Sequence, residues 1–274
     1  MMEPNVDISL LLPTRGRPNL LRRLFESLAK STSRLERIEV VLYIDEDDVP
    51  TREVAHPQLQ LTKLIEAPGK KMGQMNQVCY ENSRGRFVML MNDDVIFRTK
   101  SWDTQVLDAF ARFPDDAALV YGNDLHQRKT MATLPILSRA VCEALGGVCP
   151  RDYLNVYIDV HLFDIFKKLA RLGYQRVVYL GDVIFEHMHP EAGKSPIDVT
   201  YVKKNERFDD FLFLNLENER WDQARRLKHY IEKVQRERLP NGEHGIGVHR
   251  WGGERSCVKS FFKRLIASAF GQHL

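Results

Sequence analysis

The chain reads as an α/β protein, a mostly parallel sheet flanked by helices, on three observations. Apolar runs of strand length alternate with segments whose apolar residues recur at helical spacing. The runs are apolar at successive positions, as in strands buried on both faces of a parallel sheet. Polar and charged residues crowd the ends of those runs, where open α/β sheets bind their ligands.

The first strand covers residues 8–12 and is closed by Pro13-Thr14-Arg15-Gly16-Arg17-Pro18. Leu20, Leu21, Leu24, Phe25 and Leu28 follow at helical spacing, with Pro18 in the first turn, where its missing N–H costs nothing. Residues 38–44 form a second strand ending in Asp45-Glu46-Asp47-Asp48, and 61–66 a third, short one. Residues 72–83 read as a helix. The strand at 87–91 stops abruptly at Asn92-Asp93-Asp94. Another strand covers 118–121. Residues 153–172 read as one long helix, with Ile158, Leu162, Ile165, Phe166, Leu169 and Leu172 on one stripe and Gly173 just past its end. Residues 177–180 and 183–185 are two short strands. This alternation implies right-handed crossovers between parallel strands.

The pattern changes near residue 205. A domain at 1–204 and a helical C-terminal extension at 205–274 are therefore expected. Residues 221–238 are charged and helical, with Ala224, Leu227, Ile231 and Val234 on a narrow apolar stripe. Residues 240–253 are rich in glycine and histidine and read as a loop. Residues 258–270 set Phe261, Phe262, Leu265, Ile266 and Phe270 against Lys259, Lys263 and Arg264. Such a short, basic, amphipathic helix either lies on an anionic membrane surface or docks on the protein itself or on a second subunit.

Composition narrows the class. The 274 residues are 43% hydrophobic and 28% charged, as in an ordinary globular protein. A net charge of +3 does not announce nucleic-acid binding, and no nucleic-acid partner is expected. The four cysteines are widely spaced without a CxxC pair, which argues against a zinc ribbon or a disulfide scaffold. With no signal-peptide features at the N-terminus and no membrane-length apolar run, the expected location is the cytoplasm or the inner face of a membrane.

The chemistry gathers at strand ends. Clustered acids at Asp93 and Asp94 suit a hard divalent cation that bridges to phosphates, or else a solvated acidic turn. Thr14, Arg15 and Arg17 stand just before a helix N-terminus, where amides, helix dipole and guanidinium groups favour an anion. Asp45 can accept hydrogen bonds from ribose hydroxyls or a base. Lys70, Lys71 and Gly73 precede the helix that carries Asn76 and offer a basic approach to phosphate. The sequence holds no GxGxxG and no GxxxxGK[ST], which removes the ordinary dinucleotide and P-loop readings but not nucleotide binding. Asp124, His126 and Arg128 follow a strand; a surface loop is their simpler reading.

In this order, residues 8–18, 43–48, 73–76 with Gly85, and Asn92-Asp93-Asp94 resemble the nucleotide-sugar half of family-2-like, inverting GT-A glycosyltransferases. The resemblance covers roughly residues 6–200. It implies a GT-A (Rossmann-like) sheet and a transferase that uses a nucleotide-sugar donor, such as a UDP-sugar, and a divalent metal, Mn2+ or Mg2+. The family's D-x-D motif is Asn92-Asp93-Asp94 here; its first position is Asn, which leaves Asp94 as the main metal ligand. Asp45 matches the base- or ribose-binding acid, and Pro13, Thr14 and Arg15 the nucleotide-cradling turn. Arg17, Lys71, Gly73, Asn76, Asn92 and Asp93 complete the donor side. Asp159 stands where the family has its acceptor-side acid, the general base, and His187 where some relatives place a late metal-binding histidine. The implied acceptor is a glycan or a lipid-linked hydroxyl, as in bacterial surface-polysaccharide or glycoconjugate assembly. Two other classes remain open at this point: a nucleotidyltransferase of similar architecture, and a non-catalytic nucleotide- or sugar-binding module.

Overall fold

The computed structural model describes residues 6–194 and 206–238; both lie within one compact unit, Met1–Arg238. The segment 258–270, and with it the expected membrane or subunit contact, lies outside the described residues, as does 240–253. An eight-stranded sheet runs in the order β3-β2-β1-β4-β7-β6-β8-β5. The strands are β1 Ile8–Thr14, β2 Ile38–Asp45, β3 Gln60–Glu66, β4 Phe87–Leu90, β5 Val95–Phe97, β6 Leu119–Asn123, β7 Ile136–Ser138 and β8 Val177–His187. β1 pairs in parallel with both β2 and β4, and β2 with β3. β7 is antiparallel to both β4 and β6, so these two share a direction, and β8 is parallel to β6. Only β7 and β5 run against the rest. The sheet is mostly parallel, as the sequence predicts.

Alternation along the strands splits the core into two layers. Ile8, Leu10 and Leu12 face α1 (Pro18–Ser31) and α4 (Trp102–Ala111) on one side. Leu11, Val41 and Tyr43 face the other, where α3 (Met72–Glu81), α5 (Arg139–Leu145), α6 (Ile158–Arg171) and the C-terminal helices pack. A one-turn helix α2 (Val49–Arg52) follows β2, with Asp48 at its N-cap. α7 (Glu206–Asn215) and α8 (Glu217–Arg238) close the C-terminal side, and α8 buries Ala224, Leu227 and Ile231.

Several elements differ from expectation, each for a physical reason. The helix expected at 153–172 starts only at Ile158. Residues 153–157 are mostly apolar but form a loop, because their backbone groups are bonded to other elements. The two short strands at 177–185 are one strand, Val177–His187, whose pairing with β6 jumps register between Gly122 and Asn123. β5 and β7 are only three residues long and fully buried, too short for periodicity to reveal.

Candidate active site at the carboxyl edge of the sheet

The parallel register sets the site. Thr14 pairs with Ile44, and Leu11 with Leu90, so the ends of β1, β2 and β4 come out side by side. Pro13, buried in β1, lies beyond the last β1–β4 ladder pair and breaks no ladder bond. Thr14 Oγ1 donates to Asp93 Oδ2 at 2.8 Å, and Arg17 Nη1 donates to Asp93 Oδ1 at 2.9 Å. Burial pushes the Asp93 carboxyl above its ordinary pKa, opposed by Arg17 and Thr14. Arg15 Nη1 donates to Asp45 at 2.5 Å and to Asp47 at 2.6 Å, and Nη2 donates to the other Asp47 oxygen at 2.7 Å. The Gly16 amide donates to Asp48 Oδ2 at 2.6 Å. The turn after β1 is thus tied to the acids after β2 and β4, and both expected anion-binding arginines hold carboxylates of this chain.

Asp94 takes a different partner. Its Oδ1 lies 3.1 Å from His187 Nε2, with both side chains buried. Asn92 Nδ2 stands 3.5 Å from the same ring nitrogen. The unforeseen strand β5 makes this contact: Val95 pairs with His187, and the Met188 amide donates to the Asp94 carbonyl at 2.9 Å. Regular alternation would send His187 and His189 to opposite sides. The strand ends at His187, however, and the two rings meet edge-on with centroids 5.1 Å apart. His189 in turn stacks on His126 at 5.5 Å.

The loop after β6 is no bland surface turn. The buried Asp124 carboxylate accepts from the amides of His126 (2.9 Å) and Arg128 (2.7 Å) and from Thr133 Oγ1 (2.8 Å). Burial raises its pKa, but these donors outweigh burial and hold it below the ordinary value. Its carbonyl accepts the His187 amide at 3.0 Å. An acid at a strand end was the available signal.

Asp159 lies in the first turn of α6. Burial pushes its carboxyl up to about 6, against the pull of the Val160 amide at 2.8 Å. His187 lowers that pKa and Asp124 raises it, so the three groups share one electrostatic environment. Just ahead, Tyr157 adopts φ +71°, an uncommon conformation for a bulky residue.

Lys71, Gly73 and Asn76 are engaged elsewhere. The Met72 and Gly73 amides, which would have to receive a phosphate at the α3 N-terminus, donate instead to the carbonyls of Leu154 (3.1 Å) and Tyr153 (3.0 Å). A Cβ on Gly73 would sit 2.2 Å from the Pro150 carbonyl oxygen, so this glycine admits the loop rather than a ligand. Lys71 pairs with Asp152 at 2.7 Å, and Asn76 Nδ2 donates to the Met72 carbonyl. Deeper in this layer, Tyr153 Oη and Gln223 Oε1 each lie 3.0 Å from a ring nitrogen of His161, and burial drops that imidazole to about 3. It is a neutral core group.

Among the described residues, no three His, Cys, Asp or Glu side chains form a ready metal cage. Asp94 and His187 offer two donors. That number fits a cation that completes its shell with substrate phosphate and water, as Mg2+ commonly does. Their 3.1 Å separation suits neighbouring ligands at about 2.0–2.1 Å from an octahedral ion.

Residues 9–128 match the glycosyl transferase family 2 model. No curated protein sequence matches the chain. Among solved structures, a mannosyltransferase from Pyrobaculum calidifontis, PcManGT in complex with GDP-Man and Mn2+, is 15% identical with a TM-score of 0.52, covering 96% of this chain and 80% of its own. TarS 1-349 from S. aureus in complex with UDP-GlcNAc is 19% identical, TM-score 0.51, covering 70% and 62%. The longer S. aureus TarS chain aligns over 36% of its length. At these identities the likeness is one of fold. The chain thus shares the fold of these GT-A glycosyltransferases, and its donor-side strands, within residues 9–128, match the family 2 model.

Proposed function

We propose that the protein is an inverting glycosyltransferase, moving a sugar from a nucleoside-diphosphate sugar to an acceptor hydroxyl. The observation that carries this is the Asp94–His187 pair at the carboxyl edge of the sheet, sharing its field with an Asp159 raised to about 6. The family match and the nucleotide-sugar complexes of PcManGT and TarS support the donor class. Asp94 and His187 would hold a divalent cation, Mn2+ or Mg2+, with Asn92 beside the histidine. When bound, that cation neutralises charge on the diphosphate leaving group. Arg17, fixed on Asp93, keeps a preorganised positive charge at the same edge. Asp45 and the turn Pro13-Thr14-Arg15 would receive the nucleoside, with Arg15 shifting between Asp45, Asp47 and the ligand.

Asp159 takes the proton from the acceptor hydroxyl. The freed oxygen attacks the anomeric carbon as the bond to the diphosphate oxygen breaks, and one displacement inverts configuration. A base works best when its pKa lies near the operating pH, and burial has moved Asp159 toward neutrality. We assign the acceptor to the glycan or lipid-linked class, in bacterial surface-polysaccharide or glycoconjugate assembly at the inner face of a membrane. Phe208, Phe211 and Leu214, 42%, 68% and 46% exposed on α7, support an acceptor with an apolar part. Among the described residues no helix is long and apolar enough to cross a membrane.

The test is a thermal-shift panel of UDP, GDP, dTDP, CDP and ADP, each with and without Mn2+. A ligand that binds only the native state raises apparent stability by mass action. One nucleotide is expected to give a metal-dependent shift that Asp94→Ala abolishes, and its sugar donors then to release nucleoside diphosphate. Pyrophosphate release would turn the reading to a nucleotidyltransferase. No shift from any nucleotide would overturn the donor site.

A further inference from the structure

Asp209 on α7 is fully buried, and its carboxylate accepts three consecutive backbone amides: Leu154 at 2.8 Å, Asn155 at 2.9 Å and Val156 at 2.9 Å. Successive amides pointing one way form an anion-binding concavity, and here the anion is a side chain of the same molecule. The loop is gripped from its other side as well, since α3 donates its first two amides to the Tyr153 and Leu154 carbonyls. One turn after Asp209, Phe213 packs its ring on Tyr157 with centroids 5.1 Å apart. Tyr157 is the left-handed residue that turns the chain into α6, and Asp159 follows two positions later.

We infer that Asp209 is a positioning residue: by holding the amides of 154–156 it fixes the loop that aims Asp159 at the acceptor. This rests on the reading of Asp159 as the base. The inference gives α7 a part in the chemistry through the loop that Asp209 holds. The span from Asn155 to Asp209 also makes the C-terminal helices a condition for an ordered acceptor side. Reactions that depend on a near-attack geometry can lose about 10²-fold for a displacement of about 1 Å.

The experiment compares Asp209→Asn, Asp209→Glu and Asp159→Asn in the full chain, with the donor identified by the nucleotide panel. kcat and donor KM are measured separately, and Asp159 is titrated by carboxyl 13C NMR. Asp209→Asn replaces one acceptor oxygen with an NH2 group and leaves one or two of the three amides facing a donor; a drop in kcat of about 10- to 100-fold is expected, with donor KM within about twofold. The Asp159 titration moves from about 6 toward the ordinary aspartate value as the loop loosens. Asp209→Glu keeps the negative charge but shifts the loop, and covers the case in which Asp209→Asn does not fold; it too lowers kcat without changing donor KM. Wild-type kcat and an unmoved Asp159 titration in either folded variant, with Asp159→Asn inactive, overturn the positioning role alone. An active Asp159→Asn overturns the base assignment first, and the inference falls with it.

Discussion

The donor edge and the acceptor loop are built in opposite ways. At the donor edge, Thr14, Asp45 and the Asn92–Asp94 turn sit on or just past three neighbouring parallel strands, and strand register places them. On the acceptor side, Asp159 opens a helix whose lead-in loop has no regular structure. Side chains and amides far away in sequence hold it, Asp209 among them. Register is robust because a slip would move a whole apolar set off its face. A loop held by scattered long-range bonds, three of them to one buried carboxylate, has less of that redundancy. The comparison therefore predicts that damage at the donor edge shows as stability and nucleotide affinity, and damage on the acceptor side as turnover.

The largest expected effect is at Asp159. Asp159→Asn should lower kcat by about 10²–10⁴, the usual contribution of a positioned base, while the nucleotide-induced thermal shift stays. In the wild type the base must be ionised, so the rate rises as pH increases through about 6. Stability runs the other way. The folded carboxyl keeps a proton at pH values between the ordinary aspartate value of 3.8 and about 6 that the unfolded chain has lost, so stability falls as pH rises through that window. Asp159→Asn, free of this penalty, should melt higher than wild type near neutral pH, and the gap should close in acid. A variant that melts lower at neutral pH would break the assignment of a burial-strained carboxylate.

Next comes Asp94→Ala. It leaves His187 without its carboxylate and should remove the Mn2+-dependent part of the nucleotide shift. Transfer should fall by about 10²–10³, the usual loss when one electrostatic stabiliser of a developing charge is removed. An unchanged Mn2+ dependence would move the metal site off Asp94 and make the Asp94–His187 contact a structural pair.

The same contrast explains what the sequence made legible. Pro13–Arg17, Asp45 and Asn92–Asp94 stand directly after apolar runs, so pattern alone placed them at one edge. Their partners were hidden, because that Arg17 serves Asp93 and Arg15 serves Asp45 and Asp47 depends on turn geometry. Lys71 and Gly73 looked like a phosphate approach because a glycine beside a helix start fits both a ligand and a packed loop. The Pro150 carbonyl above Gly73 and the carbonyls that take the Met72 and Gly73 amides separate the two. Tyr153–Tyr157 seemed to belong to a helix since Asp209, which competes for its amides, lies more than fifty residues on. His187 is a candidate through the family resemblance, but the buried β5 that brings it to Asp94 is too short to carry a period.

A smaller effect, one of stability, is expected at Arg17. Arg17→Ala strands Asp93 in a buried position, and breaking such a pair costs about 3–5 kcal/mol. Denaturant unfolding should show the loss in midpoint, with kcat per folded molecule far less affected than in Asp159→Asn. If turnover collapses while stability holds, Arg17 acts on the leaving group directly and the donor edge is less structural than the comparison says.

The smallest effect sharpens that point. Thr14→Val keeps the shape of the side chain in β1 and removes only the hydroxyl that donates to Asp93 at 2.8 Å. Hydrogen bonds to charged groups contribute about 1.5–3 kcal/mol. Arg17 still satisfies the other carboxylate oxygen, so the lower end of that range is expected. The pair of variants then reads out how the edge is held. If Asp93 is an anchor with two independent ties, Thr14→Val costs less than Arg17→Ala, and the double variant costs close to the sum. If Thr14→Val alone costs as much as Arg17→Ala, the two ties act as one cooperative unit. The donor edge would then depend on a single anchored carboxylate, as the acceptor loop depends on Asp209.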